Sequence, residues 1–265
     1  MDLSISHTTE YAYSSPVDYA LQKVRLYPLS SPMQEVTKWS VDVTGGKIED
    51  SYVDHYGNHV DLVSITPGET TLSIHAGGQV KTLSNTGVLG RAFGRAPLWL
   101  FQQPTQQTMP GAAIRALPRI SAEEGHQLAD LHTLSAAIIE ALPYKTGTTA
   151  VDTTAEDALQ SHSGVCQDHA QIFVSAARLS GLPARYVSGY LMINEQVAQD
   201  ATHAWAEVCL EGLGWVGFDV SNGVSPDERY VRIAVGRDAR DAAPIEGLRM
   251  GSAEETLMVS LQVQQ

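Results

Sequence analysis

Cys166 stands in the stretch SGVCQDHA, where a glycine-led loop should become an apolar helix, and it is one of only two cysteines in 265 residues. A thiol at the head of a helix meets unpaired backbone N–H groups and the positive end of the helix dipole, which favour a thiolate. A thiolate acting as nucleophile still needs a base to exchange protons with the leaving group. His203 is the best candidate: it opens HAWAEV, where strand alternation sets His203, Trp205 and Glu207 on one face. Such a histidine needs a third group to fix its tautomer. Asp219 closes GWVGFDV, with Asn222 just beyond it. The other cysteine, Cys209, falls inside a strand pattern and reads as a sheet-core residue.

The turn EGLG makes these two strands a hairpin. Counted as a four-residue loop, it sets His203 opposite Asn222 and turns Asp219 to the other face. An odd-numbered loop or a bulge brings Asp219 back, and that shifted register is the expectation. Gln167, Trp205 and Asn222 are assigned as substrate contacts, with hydrophobic cover as the other reading of Trp205. Asp168 either caps the nucleophile helix or adds a favourable charge to its first turn, and His169 packs near the site. Arg185 and Tyr190 border the cleft or, for Tyr190 above all, serve packing. His162, Cys166 and His169 can be drawn as metal ligands, but no further ligand completes them, so neither metal nor cofactor is expected.

The elements that must hold these groups follow from periodicity. Residues 1–82 carry β-branched and aromatic runs between Pro, Gly and Asn breaks, which predicts an antiparallel β-domain of five or six strands with a turn at Gly57-Asn58. Residues 83–120 form a Pro- and Gln-rich connection. A core follows over 121–265. Its helices are signalled by capping pairs at Ser121/Glu124 and Thr153/Glu156 and by the face Cys166, Ala170, Phe173, Ala177. Gly181 and Pro183 end the last helix, and strands complete the unit. The fold class is α+β, with a nucleophile-bearing helix packed on an antiparallel sheet.

Composition narrows the partners. A formal net charge of −13 leaves no basic stripe for nucleic acid. No run approaches the roughly 18 apolar residues of a membrane span. The opening MDLSISHTTEYAY has neither the basic nor the apolar region of a secretory signal. With two cysteines, a cytoplasmic, reduced protein without membrane partners is expected. The oligomeric state leaves no trace in the sequence.

Taken together, SGVCQDHA…ARLSGLPARYVSGYL…THAWAEV…GLGWVGFDVSNG resembles the transglutaminase-like superfamily of papain-like cysteine enzymes, and more narrowly the bacterial transglutaminase-like cysteine proteases. SISHTTEYAYSSPV…VRLYPL and YVRIAVGRDARDAAPIEG extend the resemblance over nearly the whole chain. It implies Cys166 as nucleophile, His203 as general base and acid, and Asp219 as orienting carboxylate. Tyr230 and Ala239 depart from the family pattern, at positions expected not to touch this triad. The implied activity is thiol-dependent hydrolysis of a peptide or isopeptide-like amide through a thioester. Acyl transfer to an amine, of the protein-glutamine transglutaminase or arylamine N-acetyltransferase kind, is the alternative, with a non-catalytic binding module as a third reading. The substrate is then a peptide or protein, chosen by cleft loops at 83–118 and 192–200. The Cys166 N–H is the natural oxyanion donor, joined by an upstream side chain.

Overall fold

The computed structural model describes residues 1–17, 19–91, 94–193, 198, 199, 201–250 and 254–265, with Glu124 described in its backbone alone. Six strands form first: β1 (Asp2–Tyr13), β2 (Tyr19–Val24), β3 (Gln34–Thr44), β4 (Gly46–Val53), β5 (His59–Ile65) and β6 (Thr71–Thr82). In β1 every second residue from Leu3 to Tyr13 is buried, as a half-covered strand requires. The expected turn joins β4 to β5. Gly57 takes φ 92° there, and the Asp54 carboxylate accepts the N–H groups of Tyr56 and Asn58.

The connection is not a free linker. It supplies β7 (Val88–Gly90), a 3-10 turn at Leu98–Gln102 and the short helix α1 (Ala112–Ala116). Then come α2 (Glu124–Ala141), α3 (Ala155–Ser161) and α4 (Cys166–Leu179). The capping signals work differently from the sequence reading. Ser121 Oγ accepts the Glu123 N–H just ahead of α2, and Thr154, not Thr153, caps α3 by accepting the Asp157 N–H. Glu156 is drawn instead to the orphan N–H groups at the start of α1 and accepts from Gly111, Ala113 and Ile114. Ser180 and Gly181, the latter at φ 81°, end α4 before Pro183.

Five further strands follow: β8 (Ala184–Leu191), β9 (Ala198–Gln199), β10 (His203–Leu210), β11 (Gly214–Phe218) and β12 (Tyr230–Gly236). Four of them, β8, β10, β11 and β12, join β7 in an antiparallel sheet of order β12-β8-β10-β11-β7, while β9 pairs with a later strand. On one face, α4 packs with Ile172, Phe173 and Ala177 against Ala206, Val208, Val216 and Phe218 of the sheet. Leu131, Leu134 and Ile138 of α2 pack into the same core. Every residue of α4 from Asp168 to Arg178 is buried, so this helix is the centre of the unit. Mixed α+β architecture is the result.

The last two strands leave that unit. β13 (Ile245–Met250) pairs with β2, and β14 (Glu255–Gln264) lies along β1 from Ser4↔Gln264 to Tyr13↔Glu255. Residues 245–264, grouped at first with the core, therefore complete the two N-terminal sheets, β3-β6-β1-β14-β9 and β13-β2-β5-β4. The cause is edge pairing: β1 has a free edge on the side away from β6, and β14 fills it while burying Leu261 and Val263.

Candidate active site

The β10–β11 register decides whether His203 and Asp219 can meet. Ala206 pairs with Phe218 and Leu210 with Gly214. Three residues, Glu211 to Leu213, are left in the turn; Gly212 within it adopts φ 77°, and Gly214, which opens β11, φ 75°. The loop is thus odd-numbered, as the shifted register required. Continued by one residue, the pairing sets Asp219 opposite Trp205 and diagonal to His203 on the same face.

His203 Nε2 lies 2.6 Å from Asp219 Oδ2. The carboxylate is fully buried and accepts three more side-chain bonds: from Ser221 Oγ at 2.8 Å, Asn222 Nδ2 at 2.7 Å and Tyr230 Oη at 2.8 Å. Burial works against an ionised Asp219, but the hydrogen bonds and charge of His203, with Asn222 and Tyr230, win and hold it at about 2. Burial likewise opposes an imidazolium at His203. The bond to Asp219, the adjoining Cys166 thiol and the charges of both outweigh it and lift His203 to about 10. Since Asp219 occupies Nε2, Nδ1 is the ring nitrogen left for Cys166. The arrangement is a thiol–imidazole–carboxylate chain in which the imidazole is held protonated.

Cys166 opens α4, and the preceding loop is pinned by the helix's own Asp168. Its Oδ2 accepts the Val165 N–H at 2.8 Å and the Thr149 hydroxyl at 2.7 Å. Asp168 is therefore a cap and not merely a favourable charge. Gly164 makes room for it: a Cβ at that position would lie 2.8 Å from Asp168 Oδ2. Val165 O takes the N–H groups of Asp168 and His169. The first two N–H groups of the helix, on Cys166 and Gln167, have no such acceptor among the described residues and form the positive end of the dipole. His169 turns its ring nitrogens to the carbonyls of Val165 and Leu142, tying the helix to the end of α2.

Cys166 and His203 line a cleft of about 1260 Å³ together with Gln167, Tyr144 and Ser188. Of the three expected substrate contacts only Gln167 faces it. Trp205 is 3% exposed and packs edge-on against Tyr230, while Asn222 serves the Asp219 carboxylate. Arg185 is also withdrawn from the cleft. It is 1% exposed, bonded to Glu207 at 2.7 Å and stacked over Trp215. Tyr190 is buried and donates to His7 Nδ1 or accepts from it at 3.0 Å. Gln106 and Gln107 from the connection and Ile193 and Gln199 from the second expected loop do reach the cleft; residues 194–197 and 200 of that loop lie outside the described residues.

Two features escaped the sequence reading. Tyr230, expected not to touch the triad, donates directly to Asp219: β12 pairs with β8, Tyr230 opposite Leu191, and its side chain reaches past Trp205 to the carboxylate. The segment 237–246 contributes Arg237, Asp238, Arg240 and Glu246 to the cleft wall. Its only signal was the run of charges in GRDARD. Among the described residues, no group of three or more His, Cys, Asp or Glu side chains is placed to hold a metal ion. No helix of the described residues is long and apolar enough to cross a membrane.

A helix-borne thiol facing a histidine and a carboxylate on an antiparallel sheet defines a papain-like core. Residues 115–220 match the transglutaminase-like superfamily, and residues 3–81 match the bacterial transglutaminase-like N-terminal region. The chain thus carries a transglutaminase-like superfamily domain behind the N-terminal region found in bacterial members. A crystal structure of a candidate cysteine protease from Cytophaga hutchinsonii shares the fold, with a TM-score of 0.75 at 24% identity over 100% of this chain and 91% of that one. The uncharacterized protein ML0607 of Mycobacterium leprae is 29% identical over 281 residues, 98% of each chain. The uncharacterized protein Rv2569c of Mycobacterium tuberculosis is 27% identical over 282 residues, 96% of this chain and 89% of its own.

Proposed function

We propose that the protein is a thiol-dependent hydrolase of a peptide or isopeptide-like amide. The observation that carries this reading is the 2.6 Å contact of His203 with Asp219, beside a thiol that opens both a helix and a large cleft. Cys166 attacks the amide carbonyl. The developing oxyanion is met by the Cys166 N–H at the head of α4, with Tyr144 as the upstream side chain on the cleft wall able to donate a second bond. His203 hands its proton to the departing amine, and Asp219 keeps the ring oriented throughout. A thioester between substrate acyl group and Cys166 remains, and water activated by His203 releases the acid and restores the thiol. Free thiols at Cys166 and Cys209 suit a reducing, cytoplasmic setting.

Alkylation kinetics test the nucleophile without a known substrate. Cys166 should react with iodoacetamide well ahead of Cys209, whose burial pushes its thiol up, and His203→Ala should slow Cys166 alone. Equal, slow labelling of both thiols would count against catalysis and for a binding module.

A further inference from the structure

The charges on the cleft wall are unequal in number and in pairing. Arg237 is bonded to Asp241 at 2.9 Å, and Arg240 lies 3.6 Å from Glu246. Asp152 and Asp238 face the same cleft without such a cation among the described residues. Asp152 sits on an exposed turn, where water screens it. Asp238 is different: it is 6% exposed, in the loop just after β12.

Its two oxygens have different duties. Oδ1 accepts the Asp241 N–H at 2.9 Å, while Oδ2 has no hydrogen-bond donor among the described residues. The buried cation in its vicinity, Arg178, spends its N–H groups on the carbonyls of Phe101, Ala184 and Arg237 and on the Thr108 hydroxyl. It lends Asp238 a distant field and no bond. Tyr186, 4% exposed, lines the cleft too, and its hydroxyl has no partner among the described residues. Burial, then the charges of Cys166, Asp168 and Asp238, keep it a neutral phenol. Ser188, two residues along β8, donates to Ala242 O at 2.7 Å and keeps lone pairs free on the cleft side. The β12–β8 register, Gly236↔Tyr186, brings the start of the 237–246 loop to these hydroxyls. Ala204, Ala239 and Ala243 wall the corner with small side chains.

We propose that this corner of the cleft receives a primary ammonium group of the substrate, with Asp238 Oδ2 as counter-charge and the Tyr186 and Ser188 hydroxyl oxygens as further acceptors. An ammonium carries three N–H donors and no acceptor, which suits three separate oxygens. A guanidinium seeks a two-oxygen fork, and Asp238 has only one oxygen to give. The inference rests on the reading of the cleft as the place where Cys166 meets an amide, and it names the charge that the substrate carries there.

Iodoacetamide labelling of Cys166, followed by mass spectrometry with Cys209 as internal reference, reads occupancy without turnover. Butylammonium chloride should protect Cys166 at constant ionic strength, butanol should not, and butylguanidinium should be the weaker cation. In Asp238→Asn the half-protecting concentration should rise about tenfold or more, the loss expected for one charge-assisted bond. In Tyr186→Phe, which removes an acceptor and no charge, it should rise by a smaller factor. Protection by butanol equal to that by butylammonium, or equal protection of the wild type and Tyr186→Phe with a folded Asp238→Asn, overturns the proposal. A peptide library separates the sources of the amine. Preference for lysine over norleucine beside the cleaved bond places the ammonium on the acyl substrate, whereas incorporation of the free amine places it on an incoming acceptor. Protection without any acyl adduct keeps the pocket and removes the hydrolase. Adducts formed without regard to charge, and without protection, do the reverse.

Discussion

His203 is held as a cation by a carboxylate that is itself held by four side chains, and this has consequences for pH. The folded-state value of about 10 exceeds the ordinary 6.5. The stabilisation that His203 contributes is therefore complete below about pH 6.5 and is lost as the pH rises through about 10. Asp219, lowered to about 2 from 3.8, contributes in the opposite sense: present above 3.8 and lost as the pH falls through 2. Urea unfolding of the wild type between pH 6 and pH 10 should show a loss of stability that His203→Gln abolishes; parallel curves would contradict the pair. Tyr230→Phe should move Asp219 up toward its ordinary value in a carboxyl NMR titration and lower kcat more than it alters KM, since Tyr230 acts through Asp219 and not on substrate. An unmoved Asp219 would make Tyr230 mere packing. Cys166, His203 and Asp219 were legible because each stands in a short string whose chemistry is local. Tyr230 was not, since only the pairing of β12 with β8 brings it there. Trp205 is hydrophobic cover, one of its two readings, and not a substrate contact: alternation groups residues on one face of a strand, yet only the end of β10 reaches the cleft.

At the scale of elements, the turn between β10 and β11 is what aligns the pair. EGLG alone does not decide between a four-residue and an odd-numbered loop, because whether Gly214 is turn or strand depends on its positive φ; the shifted register was expected from the position of Asp219. Inserting one alanine after Gly212 should throw Asp219 to the opposite face and remove activity by about the 10⁴-fold seen for loss of an orienting carboxylate, with the fold retained by circular dichroism; surviving activity would break the register argument. The α4 head offers a second test. Gly164→Ala drives a methyl against Asp168 Oδ2 and should cost about 1–3 kcal/mol through the disturbed cap on Val165. Unchanged denaturant midpoints would show that the carboxylate has room to move. The helices themselves were legible from their apolar spacing. Their caps were not, because Glu156 was free to choose between its own helix and the orphan N–H groups of α1.

Over the whole molecule, the chain closes on itself: β14 lies along β1, and β13 along β2. Alternation in TLMVSLQVQ announced a strand but could not say which edge it would join, since any free edge of matching length would serve. Removing residues 254–265 should expose β1 and strip Leu261 and Val263 from the N-terminal core, at about 1.5–3 kcal/mol for each buried side chain. A lower thermal midpoint is expected, with the N-terminal sheets lost first in hydrogen exchange. A truncated protein as stable as the full chain would mean that β14 only lies on the surface. The reading from periodicity of an α+β chain with a β-rich N-terminal part holds, while the return of residues 245–264 is a long-range event that no local pattern encodes.

The most direct test of covalent catalysis is mass spectrometry of Cys166 after incubation with a mixed peptide library, comparing wild type with Cys166→Ala. An acyl mass on Cys166, absent from the variant and removed on standing in water, is the predicted result. Amide turnover that persists in Cys166→Ala would contradict it.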